Sequence, residues 1–161
     1  MRVLGIGNDL LADDAFGPRL IRAVQRQFGS DVDAQASSAA GFNLLDSVLG
    51  ASRLVVVDTI ATPTANPGTL HVITEEQMKT PPGGSPHFIG LFEVLAVARE
   101  LGLPAPEEVV IIGVEAADCT TVGGAMHPKI EAAIPAAVNL VARYLRSSGG
   151  GAQCLIQEPS G

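Results

Sequence analysis

The chain has 161 residues, 47% of them apolar and 17% charged, and a formal net charge of −7. That length fits one domain that can bury a core without disulfides or a structural metal. The acidic balance argues against nucleic acid, whose phosphates need a basic face, and against docking on an anionic membrane.

With no tryptophan, one tyrosine and five phenylalanines, the core must be aliphatic. Such a core suits helices packed closely on a parallel sheet. The two cysteines, Cys119 and Cys154, have no CxxC spacing and form no disulfide framework. No signal-peptide pattern opens the sequence and no apolar run is long enough for a bilayer, so a cytoplasmic location is expected.

Val3 to Ile6 is a short apolar run ending at Gly7-Asn8, which reads as a buried strand and a turn. Helical spacing follows from about Asp14 to Phe28. Phe16, Leu20, Ala23, Val24 and Phe28 share one face, and Gly29 stops the helix. Asp13 and Asp14 stand where a helix start favours negative charge. A weak strand is expected around Val32 to Ala36, then a short helix from Gly41 to Leu49. Leu54 to Val57 is continuous and β-branched, the pattern of a central strand covered on both faces, and it is expected to end at Asp58.

Thr62 to Gly68 reads as loop, Thr69 to Thr74 as an edge strand, and Thr80 to Pro86 as a long irregular loop. A helix is expected from about Phe88 to Leu101, a buried strand from Val109 to Val114, and a last helix from Pro128 to Leu145. Pro128 fits a first helical turn. The expected division is one domain over 1–146 and a flexible tail over 147–161. Strands alternating with helices predict a three-layer α/β/α sandwich around a twisted, mostly parallel sheet.

In open α/β sheets, sites form at the carboxyl ends of the strands. A nucleotide site fails there on the residues. Gly5-Ile6-Gly7-Asn8-Asp9-Leu10 lacks the third glycine of GxGxxG, and Asp13 and Asp14 would repel a phosphate. A small-molecule enzyme built on a nucleotide fold is therefore disfavoured.

A metal site fits better. Asp14, Asp58 and His87 offer two carboxylates and an imidazole from three separate loops at one rim. Oxygen and nitrogen donors together suit a borderline divalent ion such as zinc or nickel, and three ligands leave positions open for water or substrate. Each residue also has an ordinary role: Asp14 as a helix cap, Asp58 as a turn former, His87 as a loop or cap residue. His71 is expected at the surface, His127 at a helix start, and Cys119 as an unactivated thiol. Glu115, after the last strand, is a candidate general base or a support for the ligands.

Several blocks resemble one family, in order and at similar spacing, over residues 1 to about 145. Gly5-Ile6-Gly7-Asn8 with Leu10-Leu11-Ala12-Asp13-Asp14-Ala15-Phe16-Gly17 is similar to the N-terminal signature of hydrogenase maturation proteases. Val55-Val56-Val57-Asp58-Thr59-Ile60, Asn66-Pro67-Gly68-Thr69-Leu70, Ser85-Pro86-His87 with Gly90-Leu91, and Ile112-Gly113-Val114-Glu115 resemble the blocks that follow.

The resemblance implies an endopeptidase that removes the C-terminal extension of a nickel-iron hydrogenase large-subunit precursor after nickel insertion. It places the nickel contacts on Asp14, Asp58 and His87, with the nickel supplied by the precursor. The partner implied is that precursor, and nothing in the sequence demands more than a monomer. The alternative is a nickel-sensing chaperone or binding module that does not cut. Two positions depart from the family pattern. Asp14 stands where the family often has Glu, and Ala36-Ser37-Ser38-Ala39-Ala40-Gly41 stands where it usually has an Asp-Gly-Gly-Thr-like run.

Overall fold

The computed structural model describes residues 1–63, 65–75, 77 and 86–147, and for 86–89 the backbone alone. Strand β1 (Arg2–Ile6) is followed by a 3-10 turn (Asp13–Ala15) and helix α1 (Phe16–Phe28). Strand β2 (Asp33–Ser37) leads through a second 3-10 turn (Gly41–Leu44) into the short α2 (Leu45–Val48). Then come β3 (Arg53–Ile60), β4 (Leu70–Thr74), α3 (Pro86–Glu100), β5 (Glu108–Glu115) and α4 (Pro128–Arg146). The expected tail beyond Ser147 lies outside the described residues.

The five strands form one sheet in the order β2-β1-β3-β5-β4. Every pairing is parallel except that of β4, which runs antiparallel on β5 at the edge. Strand faces alternate, and the two faces carry separate clusters. Val3, Val55, Val57, Ile112 and Val114 pack with Phe16, Leu20 and Val24 of α1 and Ile130, Ala137 and Val141 of α4. Leu4, Ile6, Leu54, Val56, Val109 and Ile111 pack on the other face with Leu44 of the second 3-10 turn, Val48 of α2, and Leu91, Val94 and Leu95 of α3. The three-layer sandwich expected from the sequence is the architecture found. Each fully buried aliphatic side chain in these clusters contributes about 1.5–3 kcal/mol of transfer free energy. Register is marked at the strands' amino ends by two cross-strand ion pairs, Arg2 with Asp33 at 2.8 Å and Arg53 with Glu108 at 2.6 Å.

Three strand and helix limits differ from expectation in ways that move a candidate residue, the first being that of β5, which runs through Glu115, so that this residue ends the strand and does not follow it. β3 does not stop at Asp58. The ladder continues through Asp58↔Gly113, Thr59↔Val114 and Ile60↔Glu115, so Asp58 lies inside the strand. An aspartate after a β-branched run looks like a strand end, but pairing with β5 overrides its weak strand propensity. Helix α3 begins at Pro86, so His87 belongs to its first turn and not to the preceding loop. Proline is well suited to that position.

The glycines of the first block serve backbone contact, not a nucleotide. A Cβ on Gly17 would stand 2.1 Å from the Ile6 carbonyl oxygen, and one on Gly7, whose φ is +142°, would stand 2.1 Å from that of Asp14. Helix α1 therefore enters directly against β1, which brings Asp14 to the sheet's rim. Gly17→Ala must push the helix off the strand. It is expected to destabilise the protein by about 2 kcal/mol or more in urea unfolding. Arg26→Ala, on the exposed side of the same helix, should change stability by less than about 0.5 kcal/mol.

Candidate functional site

Strand order reverses between β1 and β3, since the chain moves outward to β2 and then returns to the other side of β1. The crevice outside the carboxyl ends of these two strands is where an open α/β sheet places its ligands. Two of the three candidate residues lie there. Asp14 and Asp58 are 5% and 0% exposed.

Asp14 is not a helix cap: neither the 3-10 turn nor α1 has a side-chain cap. Its Oδ2 instead accepts the Asn8 backbone N–H at 2.8 Å, and its Oδ1 accepts the Thr59 hydroxyl at 3.3 Å. Asp58 Oδ1 accepts the Thr59 N–H at 2.7 Å. Asp58 shares its sheet face with Val56 and Ile60, toward α3, whereas Thr59 faces α1 and α4 with Val57. The two acids thus approach the rim from opposite faces, and Thr59 touches both. His87 reaches the same end of the sheet through the first turn of α3; its side chain lies outside the described residues. That turn is fixed by a close backbone contact, since a Cβ on Gly90 would stand 2.6 Å from Cα of Gly41.

Asp13 has a different task from its neighbour. It is 1% exposed, and its carboxylate accepts three backbone N–H groups, from Ala117, Asp118 and His127, at 2.9, 2.7 and 2.7 Å. Ala12 N–H to Thr121, Asp13 N–H to Asp118 and Gly123 N–H to Leu10 extend the clamp. The loop after β1 and the loop after β5 are therefore joined as one rim. His127 is the N-cap of α4, its Nδ1 accepting from Lys129 N–H at 3.2 Å, as its place before Pro128 suggested.

Glu115, considered as a base, is committed elsewhere. Its Oε1 accepts the Thr62 N–H, and its Oε2 accepts the Thr62 hydroxyl at 3.0 Å. His71 is half-buried and not at the surface. Its Nε2 is 3.3 Å from Glu115 Oε2, though misaligned for a hydrogen bond. Glu115 thus fastens the loop that follows β3. Among the described residues, no three His, Cys, Asp or Glu side chains gather closely enough to hold a metal ion by themselves.

Residues 18–144 match the family described as HycI, hydrogenase maturation protease. The chain belongs to the hydrogenase maturation protease family. It is similar to the hydrogenase 2 maturation protease of Escherichia coli, with 31% identity over 91% of both chains. It is also similar to the hydrogenase expression/formation protein HupD of Thiocapsa roseopersicina, at 35% identity over 91% of this chain and 68% of that one. Among solved structures, the hydrogenase maturating endopeptidase HybD of E. coli superposes with a TM-score of 0.79 at 31% identity, covering 92% of this chain and 93% of that one.

Within this maturation-protease fold, the run that departs from the family pattern has a definite place. Ala36, Ser37 and Ser38 line a groove of about 280 Å³ together with Gly7, Asn8, Asp9 and Pro18. The groove borders Asn8, whose N–H holds Asp14. The Ala36-Ser37-Ser38 run therefore forms part of the wall next to Asn8. No helix among the described residues is long and apolar enough to cross a membrane.

Cys119 stands at the same rim. Its thiol donates to Thr59 Oγ1 at 3.6 Å. Burial pushes the thiol up from its ordinary value, the bond to Thr59 lowers it, and the charges of Asp14, Asp13 and Asp58 add to the rise. With its folded value raised, the native state keeps the proton where an unfolded chain has begun to lose it. Its stabilising contribution is present below about pH 8.5 and falls as pH rises through the shifted value. In a Cys154→Ser chain, the midpoint of the iodoacetamide rate against pH should lie higher for native than for urea-unfolded protein. Equal midpoints would contradict this environment.

Proposed function

We propose that this chain is an endopeptidase that removes the C-terminal extension of a nickel-iron hydrogenase large-subunit precursor once nickel has been inserted. Asp14, Asp58 and His87 take the precursor's nickel as the recognition element. Family membership supports the reaction class. The observation that carries the choice of residues is the meeting of Asp14 and Asp58 on Thr59 at the switch point of the sheet.

The chemistry of that meeting favours a cation. Among the described residues, the Asp14 carboxylate meets an amide N–H and a hydroxyl and no cationic side chain. A buried carboxylate with only neutral donors binds an incoming positive charge well, because an opposite charge favours its ionised form and little water must be displaced. A divalent ion held in the precursor supplies that charge. A precursor without metal lacks it, so cutting is tied to nickel insertion. Cleavage adds water across one peptide bond, leaving a carboxylate on the mature subunit and an amine on the released peptide.

Incubating the chain with nickel-loaded precursor should lower the precursor's intact mass by that of a C-terminal peptide, while nickel-free precursor should keep its mass. A stable complex with no fragment released would instead favour a non-cleaving binding module. His87→Ala should melt within about 2 °C of the parent, as expected for the loss of a metal contact and not of a packing residue. It should also slow processing by on the order of 100-fold, as misplaced recognition does. Full-rate processing by that variant would remove His87 from the site.

A further inference from the structure

Two carboxylates that meet a cation from opposite faces of a sheet need their mutual angle fixed. On the Asp14 side, Oδ2 is held by Asn8 N–H at 2.8 Å and Oδ1 by the Thr59 hydroxyl at 3.3 Å. On the Asp58 side, Oδ1 is held by the N–H of the same threonine at 2.7 Å. Thr59 is itself 5% exposed and paired in β3 with Val114 of β5. Its β-branched side chain has few rotamers available.

The hydroxyl has a single orientation open to it. A carboxylate only accepts, so the hydroxyl's one proton goes to Asp14. Its oxygen lone pair then takes the Sγ–H of Cys119 at 3.6 Å. The result is a directed chain, from Cys119 to Thr59 to Asp14, closed on the Asp58 side by the backbone.

We propose that Thr59 is a positioning residue that sets the angle between Asp14 and Asp58, and so the geometry that the precursor's nickel meets. The inference rests on the reading of the site given under Proposed function. Thr59 touches neither substrate nor scissile bond and acts through the two acids. Without its hydroxyl, Asp14 would be hinged on Asn8 alone, free to turn away from the ion.

Thr59→Val keeps the shape and the β-branching but drops the hydroxyl, while Thr59→Ser keeps the hydroxyl. For nickel-loaded precursor, Thr59→Val should raise KM on the order of ten-fold, the worth of one hydrogen bond to a charged acceptor. Its kcat should stay within about threefold. Thr59→Ser should restore KM, which a merely structural role for the β-branched side chain would not allow. In an Asp14→Ala background, Thr59→Val should cause no further loss of affinity for nickel-loaded precursor, because its route to the ion is gone. A parental KM for Thr59→Val, a Thr59→Ser variant as defective as Thr59→Val, or additive losses with Asp14→Ala would each overturn the inference. If Asp14→Ala binds and cleaves like the parent, the site reading fails and takes this inference with it. If Asp14→Ala is defective while Thr59→Val is not, this inference fails alone.

Discussion

The carboxylate of Asp13 holds the rim together. It is buried, and its donors, the backbone N–H groups of Ala117, Asp118 and His127, lie more than a hundred residues along the chain. A buried carboxylate is tolerated only when its lone pairs are met, and among the described residues backbone amides meet them. The same bonds satisfy amides that an irregular loop would otherwise bury without partners. Loops after β1 and β5 that would move separately become one surface, and the start of α4 is fixed to it through His127. Asp14, the next residue, inherits that rigidity. The close entry of α1 against β1, made possible by Gly7 and Gly17, fixes its height above the sheet.

From that base the arrangement of charge follows. Four acids, Asp13, Asp14, Asp58 and Glu115, are almost fully buried at one end of the sheet. Two of them serve the scaffold. Asp13 closes the loops, and Glu115 fastens the loop after β3 through Thr62. The other two meet on Thr59 at the crevice. Adjacent acids in one sequence block thus have different work, which their donors distinguish: three backbone amides for Asp13, against one amide and one hydroxyl for Asp14. Among the described residues Asp14 meets only neutral donors, which is the feature the proposed function uses.

Much of the scaffold could be read from the chain itself. Val3–Ile6, Leu54–Val57 and Val109–Val114 are continuous apolar runs because both faces of their strands are covered, and the spacing of Phe16, Leu20 and Val24 marks the buried side of α1. The true end of β3 was not legible, because Asp58 lacks strand character and owes its pairing to β5. Nor was the work of Asp13, whose partners carry no side-chain signature at all. Gly5-x-Gly7 could be read as a broken nucleotide fingerprint, yet its purpose is steric and needs Gly17 and Asp14 in three dimensions to be seen. That Asp14 and Asp58 stand at one rim of the sheet was legible from their places near the carboxyl ends of the first and central strands. Thr59 was not, since a threonine in a strand is unremarkable until two carboxylates point at it.

In the function proposed above, the precursor's nickel brings positive charge to a rigid rim where Asp14, among the described residues, meets only an amide and a hydroxyl. Nickel K-edge X-ray absorption on the nickel-loaded precursor, alone and with the chain added at a temperature that slows cleavage, tests that claim most directly. New oxygen and nitrogen neighbours of nickel should appear on complex formation, and the nitrogen contribution should vanish with His87→Ala. A nickel spectrum unchanged by the chain, in a complex shown to have formed, would contradict it.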